Sequence, residues 1–157
     1  IEESLEIILW ALSASKKENI KEIYFPDKKK EDIFKIINEN DKEFKFHLDR
    51  FKYATRFQNS NEEYHFTKAA KFIKRWNERL TENKYFFGDV PTIADWSIWP
   101  FVRQFKIACE SQKKTNYLEP SIKKWLDSFE NNIKFRSIMY KYALWGTNST
   151  KNYFPFN

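Results

Sequence analysis

Several things are scarce in this sequence, and each scarcity excludes something. One cysteine, Cys109, stands among 157 residues, which rules out an internal disulfide and any cysteine-based metal cluster. No apolar run approaches the roughly 20 residues a bilayer-spanning helix needs, and no signal-peptide pattern opens the chain. No pair of alternating apolar and polar runs is present to build a sheet. Tyr85-Phe86-Phe87 is the one strand-like run. Internal repeats and low-complexity segments are missing as well. His65 has no second histidine at metal-ligand spacing, so no zinc site and no metal cofactor are expected. Arginine is scarce too, six of the 28 basic residues. That weakens the nucleic-acid reading which a net charge of +6 and a pI near 9.2 would invite, because arginine is the side chain best suited to phosphate and guanine. The longest basic run, Lys28-Lys29-Lys30, is fenced by Asp27, Glu31 and Asp32. Two glycines beside abundant Lys, Asn, Ile and Phe fit an A/T-rich coding sequence better than a selected basic patch. Neither nucleic acid nor membrane is an expected partner.

What is present suits one globular domain. Apolar residues make up 41% and aromatic residues 19%, against 32% charged, and a chain of this size buries about 68–70% of its unfolded surface. The expected compartment is reducing, the cytoplasm. The chain opens on Ile1, inside a helical pattern, and the expectation is that a preceding segment has been removed.

Helical spacing dominates. Leu5, Ile8, Leu9 and Leu12 share one face of a helix over residues 1–12. Polar residues 13–22 and Pro26 then interrupt. From Lys30 to about Phe57 the spacing returns, with Ile33, Phe34, Ile36 and Ile37, then Phe44, Leu48 and Phe51. A break near Asn38 to Asp41 is expected to split this stretch into two helices. Asn59-Ser60-Asn61 reads as a turn or cap. Residues 62–82 carry Phe66, Ala69, Ala70, Ile73, Trp76 and Leu80 on one face, with Lys and Arg outside. A helix follows from about Ile93 to Cys109. Another starts at Pro120 with Ile122, Trp125, Leu126 and Phe129 inward, and a last runs from about Ile133 to Leu144. An irregular tail follows from Gly146. The fold class predicted is all-α, a helical bundle with a buried central helix over about 92–109.

That central helix holds the most informative pattern. Thr92-Ile93-Ala94-Asp95 is a capping box with Asp at the third helical position: the Thr92 hydroxyl accepts from the Asp95 N–H, and the Asp95 carboxylate accepts from the Thr92 N–H. Behind it Trp96, Ile98, Trp99, Phe101, Val102 and Phe105 cover nearly every side, so the helix must be buried. Pro100 then falls mid-helix, where proline costs about 3 kcal/mol.

The run FGDVPTIADWSIWPFVRQF over 87–105 resembles the central core helix of the C-terminal domain of glutathione S-transferases, which carries a Ser/Thr-x-x-Asp cap and often a later proline. Phe46-His47-Leu48-Asp49-Arg50-Phe51-Lys52-Tyr53 is similar to the LDRYKY stretch of a bacterial branch of that family. Met139-Tyr140-Lys141-Tyr142 through Trp145 is similar to its late segment. The resemblance covers about residues 1–145. It implies that Thr92 and Asp95 serve folding, and that surrounding helices over-determine the backbone enough to tolerate a bend at Pro100.

The resemblance further implies two domains: residues 1–15 as the terminal helix of a missing thioredoxin-like N-terminal domain, and 16–157 as the helical domain. Glu3-Ser4 matches the Glu/Gln-Ser pair that grips the γ-glutamyl group of glutathione, the co-substrate; Glu2 is the alternative register. A carboxylate can accept from the ligand ammonium, while a Ser hydroxyl and helix N-terminal N–H groups receive its carboxylate. The same residues are also ordinary helix starters. Nothing in the chain matches the family's βαβ start, its catalytic Cys, Ser or Tyr, or its cis-proline loop. No catalytic residue is therefore expected in this chain, and a Cys-Pro type motif is expected in the missing domain. The fragment alone is expected to be inactive, and to shape the electrophile site and the dimer interface of a transferase.

His47, Arg50 and Tyr53, with Arg56 beyond, follow i, i+3 spacing on one helix edge, either facing an electrophile or forming a solvated, ion-paired face. Arg103, a charge inside an apolar helix, must pair or reach a polar cavity; a buried pair competes with substrate binding. Cys109 reads as a small core residue, and the six tryptophans read mostly as core. Expected partners are glutathione, a small electrophile or disulfide, and a second copy of the chain, with the Lys30 to Phe57 region in the dimer interface. The competing functional reading is a non-catalytic binding module of the same fold that docks protein partners and keeps Thr92, Asp95 and the core, and a weaker one is a basic RNA-associated domain.

Overall fold

A computed structural model describes residues 3–58, 61–139, 141, 144 and 146. Among them no strand occurs. The order is α1 (Ser4–Ala14), α2 (Ile20–Tyr24), a 3₁₀ turn (Asp27–Lys29), α3 (Lys30–Glu39), a π-helical turn (Asn40–Phe44), α4 (Lys45–Lys52), a 3₁₀ turn (Ala54–Arg56), α5 (Glu62–Glu82), α6 (Ile93–Ser111), α7 (Pro120–Glu130) and α8 (Ile133–Ile138). The all-α reading holds. α6 is the central helix, packed against α1, α3, α4 and α7, and Ile93, Ala94, Ile98, Val102 and Phe105 along it are buried.

The expected break near Asn38 to Asp41 does not occur. α3 runs into α4 through the π-helical turn without leaving the helix. Burial explains this: Ile33, Ile36 and Ile37 before the turn, Phe44 at its end, and Leu48 and Phe51 after it all reach the core. Wider winding absorbs the one residue that does not fit the α repeat. Phe44 ends the turn with its ring edge-on to Trp76, centroids 4.9 Å apart.

Short-range signals set the other boundaries. Asn19 adopts a left-handed conformation at φ 58° just before α2, a conformation asparagine tolerates. Sequence periodicity missed α2, whose five residues offer too few apolar positions to register. Asn61 Oδ1 accepts from Tyr64 N at 3.0 Å and starts α5. Pro120 opens α7, where its missing N–H is not needed. The strand-like Tyr85-Phe86-Phe87 is a tight turn closed by one antiparallel bridge between Tyr85 and Gly88. It needs glycine at its end, because Gly88 has φ +131°.

α8 is shorter than expected. It stops at Ile138, and Lys141, Leu144 and Gly146 lie outside any helix. Ile138, Met139 and Leu144 are exposed, and short exposed helices do not persist. The expected cap residues Asn59 and Ser60, the alternative register residue Glu2, and Tyr140, Tyr142, Trp145 and the tail from residue 147 lie outside the described residues. The tryptophans divide: Trp76, Trp99 and Trp125 are core, whereas Trp10 and Trp96 are exposed.

Candidate functional site

The capping box at the start of α6 forms as the sequence predicts. Asp95 is fully buried, and its Oδ2 accepts from Thr92 N at 2.8 Å and from Thr92 Oγ1 at 3.0 Å. Its Oδ1 does as much again, accepting from Phe86 N at 3.0 Å and from Trp125 Nε1 at 2.9 Å. One carboxylate thus ties the start of α6 to the Tyr85–Gly88 turn and to α7. Sequence spacing gave the Thr92 half; Phe86 and Trp125 lie nine and 30 residues away and carry no local signal. Burial raises the Asp95 carboxyl above its ordinary value, while the hydrogen bonds from Phe86, Thr92 and Trp125 oppose that rise. A buried carboxylate is tolerated only with donors of this kind.

Pro100 lies one turn further on. It has no N–H to give the Trp96 carbonyl four residues back, so that acceptor lacks its intrahelical donor. Both residues line an open, largely apolar groove of about 620 Å³. Its walls come from Ile8 and Leu12 of α1, Tyr24 of α2, Trp99 of α6, and Phe129 and Phe135 from the α7–α8 corner, with Asn132 and Lys134 at the rim. Trp99 and Phe129 stack with interplanar angle 2°, and Phe135 meets Trp99 edge-on at 4.6 Å. Rigid aromatic walls around a few polar groups are the usual make-up of a small-molecule site.

Glu3 and Ser4 stand at the start of α1, both exposed. Glu3 is the N-cap: its side chain accepts from the Glu6 N–H, and its own N–H donates to Glu6 Oε2 at 3.4 Å. Ser4 is the first helical residue. α1 is apolar on both sides yet contains no buried residue. Leu5, Ile8, Leu9 and Leu12 pack on the core, while Ile7 and Trp10 are 52% and 58% exposed.

None of His47, Arg50, Tyr53 and Arg103, the residues read as a possible electrophile site, lines the groove. Arg103 Nε pairs with Glu130 Oε1 at 3.1 Å, and Lys106 Nζ takes the other oxygen at 2.9 Å. That is the paired arrangement a charge in an apolar helix requires. The Glu130 hydrogen bond raises the Lys106 ammonium. Arg50 stacks over Phe46, 3.6 Å from its ring centre, and over Phe57 at 4.6 Å. Tyr53 carries Lys52 and Arg56 on its ring. His47 points elsewhere: its Nδ1 lies 2.8 Å from His65 Nδ1. Eighteen residues separate the two on different helices, and sequence spacing could not pair them. Burial lowers both imidazoles below 6.5, with His65, Lys68 and Arg50 adding to the effect at His47, and Arg50 at His65.

Among the described residues no cluster of three or more His, Cys, Asp or Glu side chains could hold a metal, and no helix is long and apolar enough to cross a membrane. Cys109 is buried, and burial pushes its thiol up to about 12. It is therefore no nucleophile at neutral pH.

Against known proteins, the family description "Glutathione S-transferase, C-terminal domain" matches residues 31–128, from the second residue of α3 to near the end of α7. No curated protein matches the chain.

Proposed function

The chain belongs to the glutathione S-transferase family through its C-terminal domain, and from that premise we propose that it is the helical part of a glutathione-dependent enzyme of the cytoplasm. α1 is then the terminal helix of a thioredoxin-like domain, residues 1–15, and residues 16–157 form the helical domain. The observation that carries the reading is α1 itself. A helix apolar on both sides with no buried residue, and Ile7 and Trp10 open to solvent, has the surface of an element made to be covered on two sides. It also forms one wall of the aromatic groove.

In this reading Glu3 and Ser4 hold the γ-glutamyl end of glutathione. The Glu3 carboxylate accepts from the ligand ammonium, and the Ser4 hydroxyl, with the first N–H groups of α1, donates to its carboxylate. The thiolate is activated by a residue outside this chain. It attacks the electrophile, the new sulfur bond forming as the leaving group departs with its electron pair. Trp99, Phe129 and Phe135 supply the apolar wall against which the electrophile lies, and Lys134 at the rim favours one carrying an acidic group. Family members generally bind glutathione and electrophiles and form dimers, and the Lys30 to Phe57 stretch is proposed to contribute to that dimer.

The test begins with the gene. The protein is expressed with whatever the gene encodes ahead of Ile1, and its glutathione affinity is measured with and without Ser4→Ala. A loss of about tenfold, the value of one charge-assisted hydrogen bond, is expected. Unchanged affinity would remove Ser4 from the site. Absence of glutathione binding by that protein would leave the alternative, a non-catalytic module that docks protein partners.

A further inference from the structure

Outside the groove and the start of α1, one pair of side chains makes an arrangement that neither folding nor glutathione chemistry calls for. His47 on α4 and His65 on α5 face each other Nδ1 to Nδ1 at 2.8 Å. At that distance one nitrogen must carry a proton and the other must not, so the neutral pair holds two different tautomers. A first added proton goes to the outer Nε2 of the donor ring and leaves the bridge intact. A second puts N–H on both facing nitrogens and breaks it. We infer that His47 and His65 form a proton-operated clasp between α4 and α5, closed while at most one imidazole is charged and opened by the second proton.

The surroundings suit such a device. His65 is buried and His47 half-buried, so protons reach the pair from the His47 side. Charged groups act on it from every side: Glu43 from the π-helical turn, Arg50 from α4 and Lys68 from α5. Two cations against one carboxylate oppose the second charge and bias the clasp toward closure. Exposed Phe46 and Tyr64 rest edge-on against both imidazoles, with centroids 5.1 to 6.0 Å away. Opening therefore frees two aromatic rings on the surface shared by α4 and α5, as well as the polar link between them.

The test follows the imidazole ¹⁵N resonances of the full chain through a pH titration, assigned by His47→Gln and His65→Gln. One Nδ1–H and one Nε2–H ring are expected at neutral pH, with two titration steps, the second below 6.5. Two rings of the same tautomer, or a single shared step near 6.5, would overturn the clasp. Amide exchange in α4 and α5, taken relative to its intrinsic rate at each pH, should accelerate about tenfold across the second step and lose that acceleration in the double variant. An equal acceleration there would also overturn it. Should the double variant fail to fold, His47→Gln alone, at the half-exposed position, carries the same comparison. Stoichiometric zinc uptake that shifts both Nδ1 resonances would replace the clasp with a metal site.

Discussion

Two polar knots lie inside this bundle, and they are built on opposite logic. At the start of α6, Asp95 accepts four hydrogen bonds and every donor is a neutral N–H or O–H. It is saturated, and it has one arrangement. Between α4 and α5, His47 and His65 share one hydrogen bond whose direction either ring can supply. It is economical, and protons can rearrange it. The first knot defines where three elements meet; the second sits where two helices could part. Saturation makes a buried polar group structural, and spare protonation capacity makes it responsive.

The comparison can be broken most severely at Asp95. Asp95→Ala leaves the Thr92, Phe86 and Trp125 donors buried without acceptors. The expected loss is about 4 kcal/mol or more, a large share of a net stability of about 5–15 kcal/mol, read as a marked fall of the urea midpoint. Asn77 tests whether saturation matters away from α6. Its Oδ1 accepts from Ile122 N at 2.9 Å in the first turn of α7, and its Nδ2 donates to Glu119 Oε2 at 2.8 Å. Asn77→Leu should cost about 2 kcal/mol by the same assay, since it orphans a buried N–H without opening a cavity. Thr92→Val removes only the hydroxyl and should cost about 1 kcal/mol.

The smallest effect sharpens the contrast best, because the two knots respond to pH with opposite signs. Both histidines are lowered below 6.5 in the folded chain, so the unfolded chain binds more protons in the window just beneath that value. Their stabilisation is present above 6.5 and is lost as pH falls through the lowered values. Asp95 is raised above 3.8. Its contribution is fully present below 3.8 and declines as pH rises through the folded value. Urea midpoints across the acid range should therefore drop from 6.5 downward in the wild type, and the drop should flatten in His47→Gln.

Legibility follows sequence distance. The Thr92–Asp95 box could be read because its partners are three residues apart and helix starts use few residue types. The bounds of α5 could be read because 21 residues of regular spacing leave little ambiguity. The Trp125 and Phe86 partners of Asp95 could not, since nothing local marks a donor that arrives from another helix. His65 was set aside for lack of spacing to a second histidine, yet His47 meets it across the α4–α5 interface. The groove was invisible for a related reason. Its walls come from α1, α2, α6, α7 and α8, and in sequence Ile8, Leu12, Trp99 and Phe129 read as core.

The π-helical turn over Asn40–Phe44 governs which way α4 faces. One extra residue in regular winding of 3.6 residues per turn would rotate everything downstream by about a quarter turn, and the wider π winding takes up that rotation. His47 begins three residues beyond it. Plain α winding over the same residues would present that histidine at a different azimuth, away from α5, even with every side chain unchanged. The pH behaviour then depends on the winding of this one turn as well as on the two histidines.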